Sequence, residues 1–108
     1  EDKLVKAAEE LGGDILTVAT DVNDEAAVQN LRDKTLERFG RIDSLLVNAF
    51  QMPPMDPLTT VSHRKVKAAM DTNVFAPLTM AAVFADALAE AEARRIGHSL
   101  DRNTWLAV

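Results

Sequence analysis

Apolar positions along this chain change period several times, and each change marks an element. Leu4, Val5, Ala7, Ala8 and Leu11 recur at helical spacing, which predicts a helix over residues 3–11. Gly12 and Gly13 stop it. The next stretch, "DILTVAT", is nearly continuous in Ile15, Leu16, Val18 and Ala19, the pattern of a parallel strand covered on both faces. Asn23 or Asp24 can cap a second helix, with acidic Asp24 and Glu25 at its positive end. That helix presents Val28, Leu31, Thr35, Leu36 and Phe39 on one face, and Gly40 closes it. A second buried strand is expected from Ile42 to Ala49.

Met52, Pro53, Pro54 and Pro57 then form a loop that cannot join a ladder. Residues 62–71 predict a short helix, and residues 73–94 a long one with a kink near Pro77. Val74, Phe75, Leu78, Ala81, Ala82, Val83, Phe84, Ala87 and Leu88 leave the long helix almost no polar face before Asp86, so it needs cover on most sides. The tail "RRIGHSLDRNTWLAV" shows no clear period. The alternation of helices and strands predicts an α/β fold, a parallel sheet flanked by helices. In such sheets ligands bind beyond the carboxyl ends of the strands. Both expected strands end in hydrogen-bonding residues, Thr20 and Asp21 on one and Asn48 on the other.

The sequence has 108 residues, enough for one domain. Its 17 acidic and 12 basic residues give a net charge of −5, which argues against a nucleic-acid partner. There is no Cys, so disulfides and thiolate chemistry are excluded. The apolar run Val74–Ala85 is short for a membrane span and carries Pro77 and Thr79. The opening "EDKLVKAAEE" is charged, without a leader pattern, and a soluble cytoplasmic protein with no membrane association is the expectation. His63 lies among Ser62, Arg64 and Lys65 and reads as solvated. Neither it nor His98 has a partner at metal-ligand spacing, so no metal site is expected. Met52 and Met55 could line a substrate mouth or simply fill gaps, and Trp105 reads as a packing residue.

Three segments taken in order, "TDVNDEAAV", "ERFGRIDSLLVNAF" and "MDTNVFAPL", resemble the short-chain dehydrogenase/reductase family over residues 1–93, leaving 94–108 as a divergent tail of a single partial domain. The resemblance implies a Rossmann-like fold, truncated relative to the family, and hydride transfer between NAD or NADP and an alcohol or carbonyl. It places the first segment after the family's third strand and the second on its fourth. By the same resemblance Asp21 would accept a hydrogen bond from the adenine amino group, with Val22 beside the ring. Asn48 and Ala49 would line the cofactor ribose, Thr72 would lie near the nicotinamide, and Asn73 would match a catalytic Asn whose main-chain carbonyl holds a relay water.

Two residues depart from the family pattern: Val47 stands in place of an Asn and Phe50 in place of a Gly. The Gly-rich phosphate turn would fall upstream of Glu1. The catalytic Tyr, with a Lys four residues later, would fall beyond Val108, and the sequence contains no Tyr. Ser99 lies near the place of the family's catalytic Ser, in surroundings unlike its usual strand. Asp21, Asn48 and Asn73 also have plainer readings, as a turn residue, a satisfied buried amide and a helix cap. The isolated chain is expected to be inactive. A homo-oligomer is expected through helix 73–94 or exposed strand edges, and a non-catalytic interaction module is the alternative function.

Overall fold

The computed structural model describes residues 2–96, apart from the side chain of Ile96. Its elements are α1 (Asp2–Leu11), α2 (Glu25–Phe39), α3 (His63–Met70), a π-helical turn (Asp71–Phe75) and α4 (Ala76–Ile96). The expectations on His98, Ser99 and Trp105 lie outside the described residues.

Helix α2 begins and ends where its local chemistry dictates. Asp24 sits in the β region at φ −104°, ψ 106°, and its Oδ1 accepts from the N–H groups of Ala26 and Ala27 at 3.0 and 3.4 Å. This satisfies two donors that the first helical turn leaves open, a cap whose removal costs about 1 kcal/mol. Gly40 ends the helix at φ 73°, a left-handed conformation that side chains resist, and its N–H reaches the Leu36 carbonyl at 2.8 Å. Arg94 of α4 donates to the Gly40 carbonyl at 3.4 Å.

The core forms where α2 crosses α4. Val28, Ile42, Met80, Phe84 and Ala87 bury against one another, and Val22, Leu31, Leu36, Leu45, Val47, Val83 and Leu88 pack partly around them. Val28 is fully enclosed at 0% exposure, worth about 1.5–3 kcal/mol of burial. Helix α1 buries none of its residues.

The expected parallel sheet is not there: no strand forms among the described residues. Residues 15–20 and 41–55 run without helix or ladder. The reason is pairing. A strand is held by hydrogen bonds to a neighbour, and in the doubly wound order 3-2-1-4-5-6 the third and fourth strands are separated by two others. The resemblance assigns these two segments to the third and fourth positions, so neither is the other's partner. A period of two does survive in the second segment. Leu45 and Val47 turn toward the helices while Leu46 between them is 88% exposed. A buried strand was expected here; the helices cover one face of the segment.

The helical prediction for residues 62–94 holds with one difference. No break separates two helices; α3 runs through the π turn into α4. Pro77 explains the turn. Its ring collides with the carbonyl four residues back, that of Asn73, and it has no N–H to donate there. Widening the preceding turn, where the Ala76 N–H bonds back to Asp71, gives the ring room without breaking the helix. The continuous run His63–Arg95 holds an 18-residue window of mean hydropathy 1.5, long and apolar enough to cross a membrane, so the Val74–Ala85 run understated it. A core helix meets the same measure, and Met80, Phe84, Ala87 and Ala91 of α4 are buried here.

The surface left open is large, and it includes Leu46, Met55 and Leu58. The accessible area is 8332 Å², whereas a compact monomer of this mass has about 5,900 Å². The radius of gyration is 17.2 Å, against about 13 Å for a compact 100-residue domain.

Two outcomes follow from this packing. Phe84→Ala removes the largest side chain of the α2–α4 core and should lower stability by about 3–5 kcal/mol in urea titration. In native-state hydrogen exchange, amides of residues 15–20 and 42–49 should exchange at nearly unprotected rates while Val28 and Phe84 are protected; strong protection along both segments would reveal a ladder.

Candidate functional site

Asp21, placed at the end of the first unpaired segment, opens a tight turn. Its Oδ1 accepts from the Asn23 N–H at 2.9 Å, and its carbonyl accepts from the Asp24 N–H at 3.1 Å. This is an Asx turn, the plainer role open to this residue. The second carboxylate oxygen of Asp21 makes no hydrogen bond among the described residues. Val22 is half-buried against the core.

From this turn a chain of hydrogen bonds crosses to the helix. Asn23 Nδ2 donates to Thr72 Oγ1 at 3.0 Å, and Thr72 Oγ1 donates to Gln51 Oε1 at 3.2 Å. Asn73, the next residue, pairs with Gln51 from the other side. The Gln51 N–H donates to Asn73 Oδ1 and Asn73 Nδ2 donates to the Gln51 carbonyl, both at 2.8 Å. A carboxamide carries one acceptor and one donor edge, so it grips a peptide unit as a neighbouring strand would.

Asn73 is therefore not a helix cap, since it lies inside the π turn with its side chain committed to the loop. Its main-chain carbonyl receives no α-type hydrogen bond, because Pro77 has no N–H to give. Thr72 is 8% exposed, and its hydroxyl is used twice by protein groups. Asn48 and Ala49 are exposed. Asn48 makes no hydrogen bond among the described residues, so it is not the satisfied buried amide of the plainer reading. The structure thus joins the Asp21 turn to Thr72 and Asn73, and leaves Asn48, three residues before Gln51, without a hydrogen bond to them among the described residues. Phe50, beside that anchored residue, is 66% exposed.

A groove of about 350 Å³ flanks the junction on its α2–α4 side, lined by Val22, Asn23, Glu25, Asp71, Phe75 and Thr79. Asn48 and Ala49 do not line it. Lys67 bonds Asp71 at 2.7 Å and balances one of its two carboxylates. Displaced ionisation is found at surface pairs away from the junction. A hydrogen bond from Arg41 holds the Asp43 carboxyl below its ordinary range, and one from Arg95 does the same for Glu92. His63 is exposed, as expected, and no group of metal-ligating side chains occurs among the described residues.

Asn23 and Gln51 carry this junction, and the sequence pattern marked neither for it. Asn23 stood out only as a possible cap. Gln51 lies in a loop, and no local signal ties it to residues 21 and 22 positions further on.

The comparisons with known proteins agree with one another. A family model described as short chain dehydrogenase matches residues 1–97. The chain is 38% identical over 87 residues to 1-deoxy-11-beta-hydroxypentalenate dehydrogenase of Streptomyces avermitilis, covering 77% of this chain and 32% of that protein. It is 32% identical over 81 residues to the short chain dehydrogenase/reductase dpmpG of Macrophomina phaseolina, covering 71% and 46%. Its backbone superposes on the crystal structure of the KRED1-Pglu enzyme with a TM-score of 0.78 at 26% identity, over 83% of this chain and 38% of that one. The chain thus spans less than half the length of each of these relatives. With the match running from residue 1 to residue 97, this chain belongs to the short-chain dehydrogenase family.

Proposed function

We propose that this chain supplies the adenosine-side and relay portion of an NAD(P)-dependent oxidoreductase that interconverts an alcohol and a carbonyl, and that it is inactive alone. One observation carries the reading: the hydrogen-bonded junction that ties the Asp21 turn to the π turn holding Asn73.

The residues suit half of a dinucleotide. The second oxygen of Asp21 would accept from the adenine amino group, and Val22 would offer apolar surface beside the ring. Asn48 and Ala49, exposed and without side-chain commitments, offer backbone groups to the ribose. The fit stops at the phosphates. Gly40 closes α2, and Gly12 and Gly13 follow the end of α1, so no described glycine opens a helix toward a pyrophosphate. When bound, the nicotinamide would supply or accept the hydride. The carbonyl of Asn73, which receives no α-type hydrogen bond from Pro77, holds a water of the proton relay, while its side chain keeps the turn fixed on Gln51. The sequence has no Tyr for the proton donor that the family resemblance implies. The setting in this reading is soluble and cytoplasmic.

The rival reading, an interaction module, draws support from a different observation. Val74, Phe75 and Leu78 are exposed, with Leu78 at 63%. That strip supports self-association through α4, and the two readings are compatible, since an oligomer can also be an enzyme.

Two measurements check these readings. NADH should raise the thermal midpoint with concentration, by an amount equivalent to about 2.7 kcal/mol at a hundredfold excess over its dissociation constant. Asp21→Ala should remove most of that rise, and an unmoved midpoint in the unaltered chain would count against cofactor binding. In light scattering the chain should behave as an oligomer that Leu78→Glu converts to monomer; a monomer from the outset would discard the α4 interface.

A further inference from the structure

The hydroxyl of Thr72 joins segments that are 49 and 21 residues away in sequence, and nothing in the family resemblance calls for that bond. We infer that Thr72 is a positioning residue that couples the adenine-side turn to the Asn73–Gln51 pair, and not a contact for the nicotinamide. The coupling rests on the proposed adenine site; the positioning role does not.

Direction is built into the bond chain. Asn23 offers an N–H to the Thr72 oxygen, so the single hydroxyl proton is free to go to Gln51 Oε1. Donor and acceptor roles are both used, and each bond polarises the next. The upstream end is fixed by Asp21, whose carboxylate holds the Asn23 N–H at 2.9 Å. The downstream end is fixed twice, because Gln51 is held through its side chain by Thr72 and through its backbone by Asn73. Thr72 and Asn73 are consecutive in the π turn, so a displacement of one moves the other. A ligand that pulls on the Asp21 carboxylate therefore pulls on the chain that orients the Asn73 carbonyl.

Thr72→Val keeps the shape and removes the hydroxyl, whereas Thr72→Ser keeps the hydroxyl. Hydrogen exchange on the ¹⁵N-labelled chain reads the positioning role without any ligand. Thr72→Val should speed exchange of the Gln51 amide about tenfold, the equivalent of one lost hydrogen bond. Thr72→Ser should restore it, and amides of the α2–α4 core should be unchanged in both. An unchanged Gln51 rate in Thr72→Val, or equal acceleration throughout the core, overturns the positioning role.

AMP then tests the coupling. In the unaltered chain it should shift the amide resonances of Asp21 and Val22 and also that of Gln51; in Thr72→Val the first two shifts should remain and the third disappear. A Gln51 shift that persists in Thr72→Val overturns the coupling. If AMP shifts none of these in the unaltered chain, the adenine site falls and the coupling with it, while the exchange result still decides the positioning role.

Discussion

Two hydrogen bonds between the Asn73 carboxamide and the Gln51 backbone, each 2.8 Å long, are what the candidate site depends on. In a sheet the loop beyond Asn48 would be held by a ladder; here a side chain plays the ladder's part. The gain in energy is modest, about 1 kcal/mol per bond, because water can replace either partner at an exposed position. The gain in geometry is larger. With its side chain spent on the loop, Asn73 keeps its carbonyl for chemistry, and Pro77 cannot give that carbonyl the α-type hydrogen bond a regular helix would. A proline inside a helix is a defect unless the turn before it widens, and this turn widens at the residues that carry the site.

The rest of the chain shows how little core is needed to hold that arrangement. Val28, Ile42, Met80 and Phe84 pin α2 to α4, while α1 and the outer face of the 42–49 segment contribute almost nothing to it. The backbone nevertheless follows the path of a much longer relative over 83% of its length. Local caps, one helix–helix crossing and a few side-chain bonds carry that path. Exposed apolar side chains are the consequence, and Val74 and Phe75 of the π turn with Leu78 of α4 have a physical reason to seek a partner.

Much of the helical architecture was legible in the sequence because its causes are local. Asp24 and Gly40 mark the ends of α2 by chemistry that acts within one turn, and Pro77 marks the irregularity ahead of α4. The strands were misread because an apolar run such as Ile15–Ala19 reports a buried face, whereas a strand needs a neighbour, and pairing is not written in the run itself. The site was half legible. Asp21 and Asn73 stood out through the family resemblance, and both lie at the junction. Gln51 and the amide of Asn23 did not, since the bonds that recruit them span loops and follow no period. Thr72 was expected near the nicotinamide through the family resemblance alone, and the bonds its hydroxyl makes to Asn23 and Gln51 were not foreseen.

The Asn73 side chain grips the loop at Gln51. A long-range HNCO experiment detects scalar coupling across a hydrogen bond, and it addresses this contact without a mutation or a ligand. A cross-peak should link the Gln51 amide nitrogen to the side-chain carbonyl carbon of Asn73. A Gln51 amide coupled instead to a backbone carbonyl of another segment would contradict it, because a ladder would then hold the loop and the Asn73 side chain would be free.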